Sequence, residues 1–249
     1  MKRLFYYLFL VAIMCSCSED VLYDGNTQVT LGRSISTFSF DSITNKSTWR
    51  SYSFKQKFDV CQIPDSILPE LTTKELVEFC ATNPMNPLCY ACDNPMVGAR
   101  YIMKHFNGFA ELKKRTDAAE ELLNFYEGID FKKVSSSPYP ITIECNNKLY
   151  RASIVGFIEF ILASEEIPSL NNKHYISRLD QLSKEKYVQK LEKVDVYGSS
   201  HINNSLMVQS KVALKSKMLS AEDKDNIQIF YNSYGRNSDI SIVSKILFK

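Results

Sequence analysis

Cys89-Tyr90-Ala91-Cys92 is the spacing in this chain best suited to covalent chemistry. A C-x-x-C pair serves as a redox couple when it opens a helix beside a βαβ pattern. It serves as half of a zinc site when two more ligands follow at suitable spacing. No βαβ pattern surrounds this pair, and His105, His174 and His201 are scattered singly. Cys92 with His105 would make a nucleophile and its base only if they met within ~3 Å in a cleft. Five cysteines, Cys61, Cys80, Cys89, Cys92 and Cys145, follow the N-terminal region. Burial or a structural disulfide is the stronger expectation, and the odd number leaves at least one thiol unpaired. No metal or cofactor site is expected.

Other chemistry finds little purchase. The chain has no G-x-S-x-G, H-E-x-x-H, Walker loop or G-x-G-x-x-G. Its adjacent carboxylates (Glu120-Glu121, Glu165-Glu166, Glu222-Asp223) point apart on a helix and make no acid–base pair. Lys113-Lys114-Arg115, and Lys184, Lys186, Lys190 and Lys193, read as solvated helix faces balanced by Glu111, Asp117, Glu185 and Glu192. Fourteen tyrosines and fifteen phenylalanines fall mostly at core-compatible positions. Tyr90, Tyr139 and Tyr197 lie in expected loops and are the candidates for exposed aromatics, with Trp49 a packing residue.

A second short cysteine spacing says where the chain resides. Lys2 and Arg3 precede an apolar run over residues 4–14 and then Cys15-Ser16-Cys17-Ser18-Glu19-Asp20. A run of that length is too short for a ~30 Å hydrocarbon core, so it reads as a lipoprotein signal peptide, residues 1–16. Small Ser16 before Cys17 suits cleavage there better than bulky Met14 before Cys15, which makes Cys17 the expected acylation site. Two or more acyl chains make attachment stable. Ser-Glu-Asp after the cysteine is similar to the acidic signal that sends lipoproteins of the Bacteroidota to the outer face of the outer membrane. The expected address is therefore the cell envelope, lipid-anchored and facing the exterior. Losing Lys2 and Arg3 would lower the formal charge of +2 to about zero, so no nucleic-acid partner is expected.

Residues 17–48 are polar, with a short strand expected near residues 35–40, and read as the acylated N-terminus and a tether. The folded part is expected to be all-α: antiparallel helical hairpins in a bundle or irregular solenoid, split into subdomains 49–134 and 135–249 that pack as one unit. Only eight of 249 residues are glycine, half the usual ~7%, which disfavours glycine-rich loops and tight hairpin stacks. Thr72-Thr73-Lys74-Glu75 is a capping box for a helix that Asn83-Pro84 ends. Asn94-Pro95 opens another, which runs to Asn107-Gly108, and Thr116-Asp117 caps a third. Residues 135–140 break the chain before an alternating strand at 141–145. Residues 149–163 read as one buried helix. Ser183 is read as the cap of a helix whose face is Tyr187, Val188, Leu191 and Val194, and helices over 204–219, 221–235 and 237–248 complete the chain.

Trp49, Cys61-Gln62-Ile63-Pro64, Leu71-Thr72-Thr73-Lys74-Glu75-Leu76-Val77-Glu78, Phe106-Asn107-Gly108 and residues 115–123 carry a resemblance. Over about a third of its length the chain resembles a family of uncharacterised helical lipoproteins of gut Bacteroidota. The resemblance implies a helical fold and an envelope location, and it transfers no site residues. The expected function is a surface lipoprotein that acts as a non-catalytic binding or scaffolding module, with an envelope protein or a glycan as its partner. The alternatives are a thiol-active envelope enzyme using Cys89 and Cys92, and a glycan-binding accessory lipoprotein.

Overall fold

Caps and apolar spacing set the helices of the computed structural model, which describes residues 34–35, 38–135, 142–146, 148–216, 218–235 and 239–248. Strands β1 (Ser34–Ile35) and β2 (Phe38–Ser39) pair antiparallel and lead into α1 (Phe40–Thr44). Phe40 is fully buried, with its ring 5.4 Å from Phe79 and 6.3 Å from Phe106. The end of the expected tether is thus part of the core. Then come α2 (Phe54–Val60), α3 (Thr73–Ala81), α4 (Pro95–His105), α5 (Asn107–Leu112) and α6 (Ala118–Glu127).

Both halves of the Thr72–Glu75 box form: Thr72 Oγ1 accepts from the Glu75 N–H at 3.2 Å, and Glu75 Oε2 accepts from the Thr72 N–H at 3.0 Å. Two orphan donors of the helix start are satisfied together. Asn94 Oδ1 accepts from the Met96 N–H at 3.0 Å and caps α4, with Pro95 in the first turn as expected. Asp117 stands at the start of α6 but does not cap it; its carboxylate instead accepts from Thr73 Oγ1 at 2.7 Å, tying α6 to α3.

A small sheet corrects the all-α expectation. Strands β3 (Ile129–Ser135), β4 (Thr142–Cys145) and β5 (Lys148–Arg151) form an antiparallel order β3-β4-β5. The alternating Thr142–Cys145 segment is the strand foreseen at 141–145, and it gains the two neighbours that a lone hairpin would lack. Its sheet joins strands from either side of the expected subdomain boundary.

Residues 149–163 are likewise not one helix. They comprise the end of β5, then α7 (Ala152–Val155), a break at Gly156, and α8 (Ile158–Ala163). The break falls where the His201 ring packs 3.4 Å from the position a Cβ on Gly156 would take.

The remaining helices are α9 (Lys173–Leu191), α10 (Val194–Ser216), α11 (Ala221–Ser233) and α12 (Ile240–Leu247). Every residue of α8 is buried, including Glu159, so it is the central rod of the C-terminal half. Helices α9 and α10 run antiparallel, since Lys190 meets Ser205 while Asp180 and Ser183 meet Gln209. Gly198 breaks α10 with φ +61° and ψ −178°, a conformation essentially reserved for glycine. That break lets Tyr197 turn inward and donate to the Phe131 carbonyl at 2.9 Å.

Candidate functional site

The cysteines named above do not assemble an activated thiol. Cys61, Cys80, Cys89 and Cys145 are buried, Cys92 is partly exposed, and all five are free thiols. Burial pushes Cys61 and Cys145 up to about 12 and raises Cys80 and Cys89 well above the ordinary thiol range. Cys92 is raised first by desolvation and then by the neighbouring Asp93 carboxylate. A nucleophilic cysteine needs the opposite, a cationic surrounding that favours thiolate.

His105 is elsewhere. Its Nδ1 lies 2.7 Å from the Tyr101 carbonyl and its ring stacks on Tyr101 at 4.0 Å, at the C-terminal end of α4. Cys92 Sγ rests near Gly98, seven residues and so roughly 10 Å of helix away. The sequence places the two within one motif-sized stretch, and the structure does not bring them together. Cys15 and Cys17, the acylation candidates, and Tyr139 lie outside the described residues. Glu120, Glu165 and Glu166 pair with Arg178, Lys215 and Lys113 near the surface.

What sequence reasoning missed is a charge network inside the C-terminal half. Glu159 of α8 and Lys190 of α9 form an ion pair with neither side chain exposed to solvent. Tyr126 and Ser205 donate to Glu159 Oε1 at 2.8 and 2.7 Å. Lys190 Nζ donates to the His201 carbonyl at 2.8 Å and to Ser205 Oγ at 3.0 Å, and sits 4.4 Å from the Phe131 ring centroid. Burial lowers the affinity of Lys190 for its proton, and the Glu159 carboxylate opposes that shift.

Two further buried lysines hold helix ends. Lys186 donates to the carbonyls of Glu127 and Ile129, at and just past the end of α6. Lys211 donates to the carbonyls of Leu162 and Ser164 at the end of α8. A cation at a helix C-terminus meets both the unsatisfied carbonyls and the negative end of the dipole. These groups have the chemistry of a catalytic cluster, yet their partners are all internal. They position α6, α8, α9 and α10.

The same lysines decide the candidate surface. Helix α9 is continuous through Ser183, whose hydroxyl donates to the Leu179 carbonyl instead of capping a new helix. The rotational phase set by Ile176, Leu179 and Leu182 therefore carries on, and Lys186 and Lys190 fall on the buried stripe at 2% and 0% exposure. Val188, Leu191 and Val194, expected to face the core, are instead 51%, 43% and 52% exposed. Beside them Tyr187 stacks on Phe248 at 4.5 Å. A shallow open depression lined by Lys132, Lys184, Glu185, Val188 and Gln189 borders the strip. The sequence signal was present: Lys186 and Lys190 stand four and eight residues beyond the apolar anchor Leu182, and so on that anchor's face.

A second exposed cluster lies between α2 and α4. Phe54 and Tyr101 are 37% and 47% exposed, with ring centroids 6.2 Å apart. His105 completes the row, Phe58 backs it from below at 5.8 Å from Tyr101, and Lys57 Nζ sits 5.3 Å from the Trp49 ring. Two of the loop aromatics expected to be exposed are not: Tyr197 is buried, and Tyr90 is half-buried with its hydroxyl accepting from Asn204 Nδ2 at 2.6 Å. The described residues contain no cluster of three or more potential metal ligands, and no described helix is long and apolar enough to cross a membrane. Comparison with protein-family models, with curated proteins and with solved structures finds no match to this chain.

Proposed function

We propose that this chain is a lipoprotein of the cell envelope, acylated at Cys17 and displayed on the outer face of the outer membrane, where it acts as a non-catalytic module that docks another envelope protein. The observation that carries the reading is the strip at the end of α9 and the start of α10, with Lys186 and Lys190 inside and Val188, Leu191 and Val194 outside. Burying a lysine while exposing three apolar side chains a turn away runs against the hydrophobic effect for an isolated chain. A partner surface that covers the strip restores the balance. Lys2 and Arg3, the apolar run over residues 4–14 and the small Ser16 before Cys17 support the address.

The acylated protein captured by cross-linking on intact envelopes should recover a specific partner. Val188→Asp/Leu191→Asp should lower that recovery at least ten-fold while the chain stays folded with only a modest drop in melting temperature, since about half of each side chain faces water. Cys17→Ala should abolish labelling by a palmitate analogue and release the protein from membranes. Equal recovery by wild type and the aspartate variant would remove this strip from the proposal, and a labelled Cys17→Ala chain would remove the anchor.

A second reading, glycan binding, is favoured by the exposed Phe54–Tyr101–His105 row, because aromatic faces and edges suit sugar rings. Trp49, the single tryptophan, stands beside α2 through Lys57 and reports on this surface. Soluble envelope glycans should change its fluorescence in wild type and not in Tyr101→Ala. A flat titration with every glycan tried would leave the docking reading alone.

A further inference from the structure

Cys89 and Cys92 flank a turn whose geometry has a use beyond burial. We infer that these two cysteines are joined by a disulfide when the protein meets an oxidising thiol–disulfide couple, and that the bond clamps the turn carrying Tyr90. The inference does not depend on what the surface binds or on acylation.

Residues Asn86–Ala91 form a 3-10 turn, and the Cys92 N–H donates to the Cys89 carbonyl at 3.1 Å. An i to i+3 bond of this kind keeps the two Cα atoms within about 7 Å, the span a disulfide bridges without large backbone movement. The two residues also converge on Gly98 of α4. Cys89 Cα lies 2.8 Å and Cys92 Sγ 2.9 Å from the position a Cβ would take there, so the sulfur and the backbone of its partner share one side of Gly98. Any side chain at Gly98 would wedge the pair apart.

Cys80 is the competing partner. The Asn86 side-chain amide donates to the Cys80 carbonyl at 3.1 Å, which places Cys80 close to the same turn. It is fully buried within α3, whereas Cys92 is partly exposed and can meet an external disulfide.

Tyr90, between the cysteines, is what the clamp would hold. Its ring lies 5.6 Å from Phe160 and 6.0 Å from His201, and its hydroxyl accepts from Asn204 of α10. The turn is therefore a peg from the N-terminal helices into the charged interior of the C-terminal half.

The chemistry is thiol–disulfide exchange. The Cys92 thiolate attacks one sulfur of a small-molecule disulfide and expels one thiol; the Cys89 thiolate then attacks Cys92 Sγ and expels the second. Two protein thiols are oxidised, one external disulfide is reduced to two thiols, and the protons pass to solvent and return on the expelled thiolates. Both protein thiols are raised by burial, so exchange is slow and needs an alkaline buffer.

The full chain is equilibrated with oxidised glutathione at pH 8.5, alkylated under denaturing conditions and digested without reduction. Chymotryptic cleavage after Tyr90 puts the cysteines in separate peptides, which should stay linked and two hydrogens lighter, while Cys61, Cys80 and Cys145 are alkylated. The melting temperature should rise by about 5 °C on oxidation and fall back on reduction. Cys92→Ser should abolish that shift and Cys145→Ser should keep it. Alkylation of both thiols, a glutathione adduct persisting on Cys92, or a Cys80–Cys89 linkage would overturn the pairing. A formed bond with no change in melting temperature would overturn the clamp.

Discussion

Lys190→Met is expected to destabilise the folded chain by about 3–5 kcal/mol, because it leaves the Glu159 carboxylate buried without its cation. The loss is large against the 5–15 kcal/mol of a typical domain. Methionine fills much the same space, so the effect comes from charge and not from a cavity. The Ser205 hydroxyl and the His201 carbonyl also lose the donor they share. Urea denaturation at pH 7 gives the change as a shift of midpoint with an unchanged slope.

Adding Glu159→Gln should recover part of that loss. A neutral amide costs far less to bury, and its oxygen still accepts from Tyr126 and Ser205. The double variant should thus be more stable than Lys190→Met alone, by more than a kcal/mol. Should the single variant cost under about 1 kcal/mol, as exposed pairs do, the pair would not be sealed from water.

The second expected result is a steep acid sensitivity that belongs to His201. Burial first, and the nearby Lys190 charge second, hold its imidazole down to about 3 from the ordinary 6.5. Its Nδ1 has no hydrogen-bond partner among the described residues, while Tyr90 and Tyr197 flank the ring. Between pH 6.5 and 3 the unfolded chain binds this proton and the folded chain does not. Stability is therefore complete above about pH 6.5 and lost as pH falls, at up to about 1.4 kcal/mol per unit.

By pH 4 the loss from this residue amounts to about 3 kcal/mol. His201→Phe, similar in size and unable to titrate, should behave like wild type at pH 7.5 and keep that increment at pH 4. Glu111 and Asp239, both lowered by their partners, add shallower acid losses that the variant retains. Identical pH profiles for wild type and His201→Phe would mean that the folded protein accommodates a charged imidazole.

These two residues also mark where reading the chain stopped working. The capping box at Thr72–Glu75 and the Asn94-Pro95 start were legible because the interactions are local: each cap bonds to an amide two or three residues away. The strand at Thr142–Cys145 was legible from alternation alone. Its companions β3 and β5 were not, because a strand's partners are set by chain reversal and packing. Lysines in the series 184, 186, 190 and 193 look like one solvated face by composition. Only the fixed phase of α9 separates Lys186 and Lys190 from Lys184 and Lys193.

Misplacing one cap therefore inverted a whole helix face. Reading Ser183 as a helix start reset the rotation and sent Val188, Leu191 and Val194 inward, whereas the uninterrupted α9 exposes Val188 and Leu191, and Val194 stands exposed at the start of α10. Cys92 and His105 had the residue types of a catalytic pair, but Cys92 packs beside Gly98 in the first half of α4 and His105 stands at the end of that helix. Tyr90 and Tyr197 sat in segments that sequence marks as loops, but each hydroxyl found a buried partner.

The sequence by itself determined the starts of the helices at Thr72 and Asn94 and the predominance of helix over sheet. Those properties depend on neighbours within a few residues, where spacing and side-chain chemistry suffice. Only the tertiary structure decided which charges are buried and which apolar side chains are left outside. Burial depends on what packs from distant parts of the chain, and Lys190 can go inside because a carboxylate of α8 and a carbonyl and a hydroxyl of α10 meet it there.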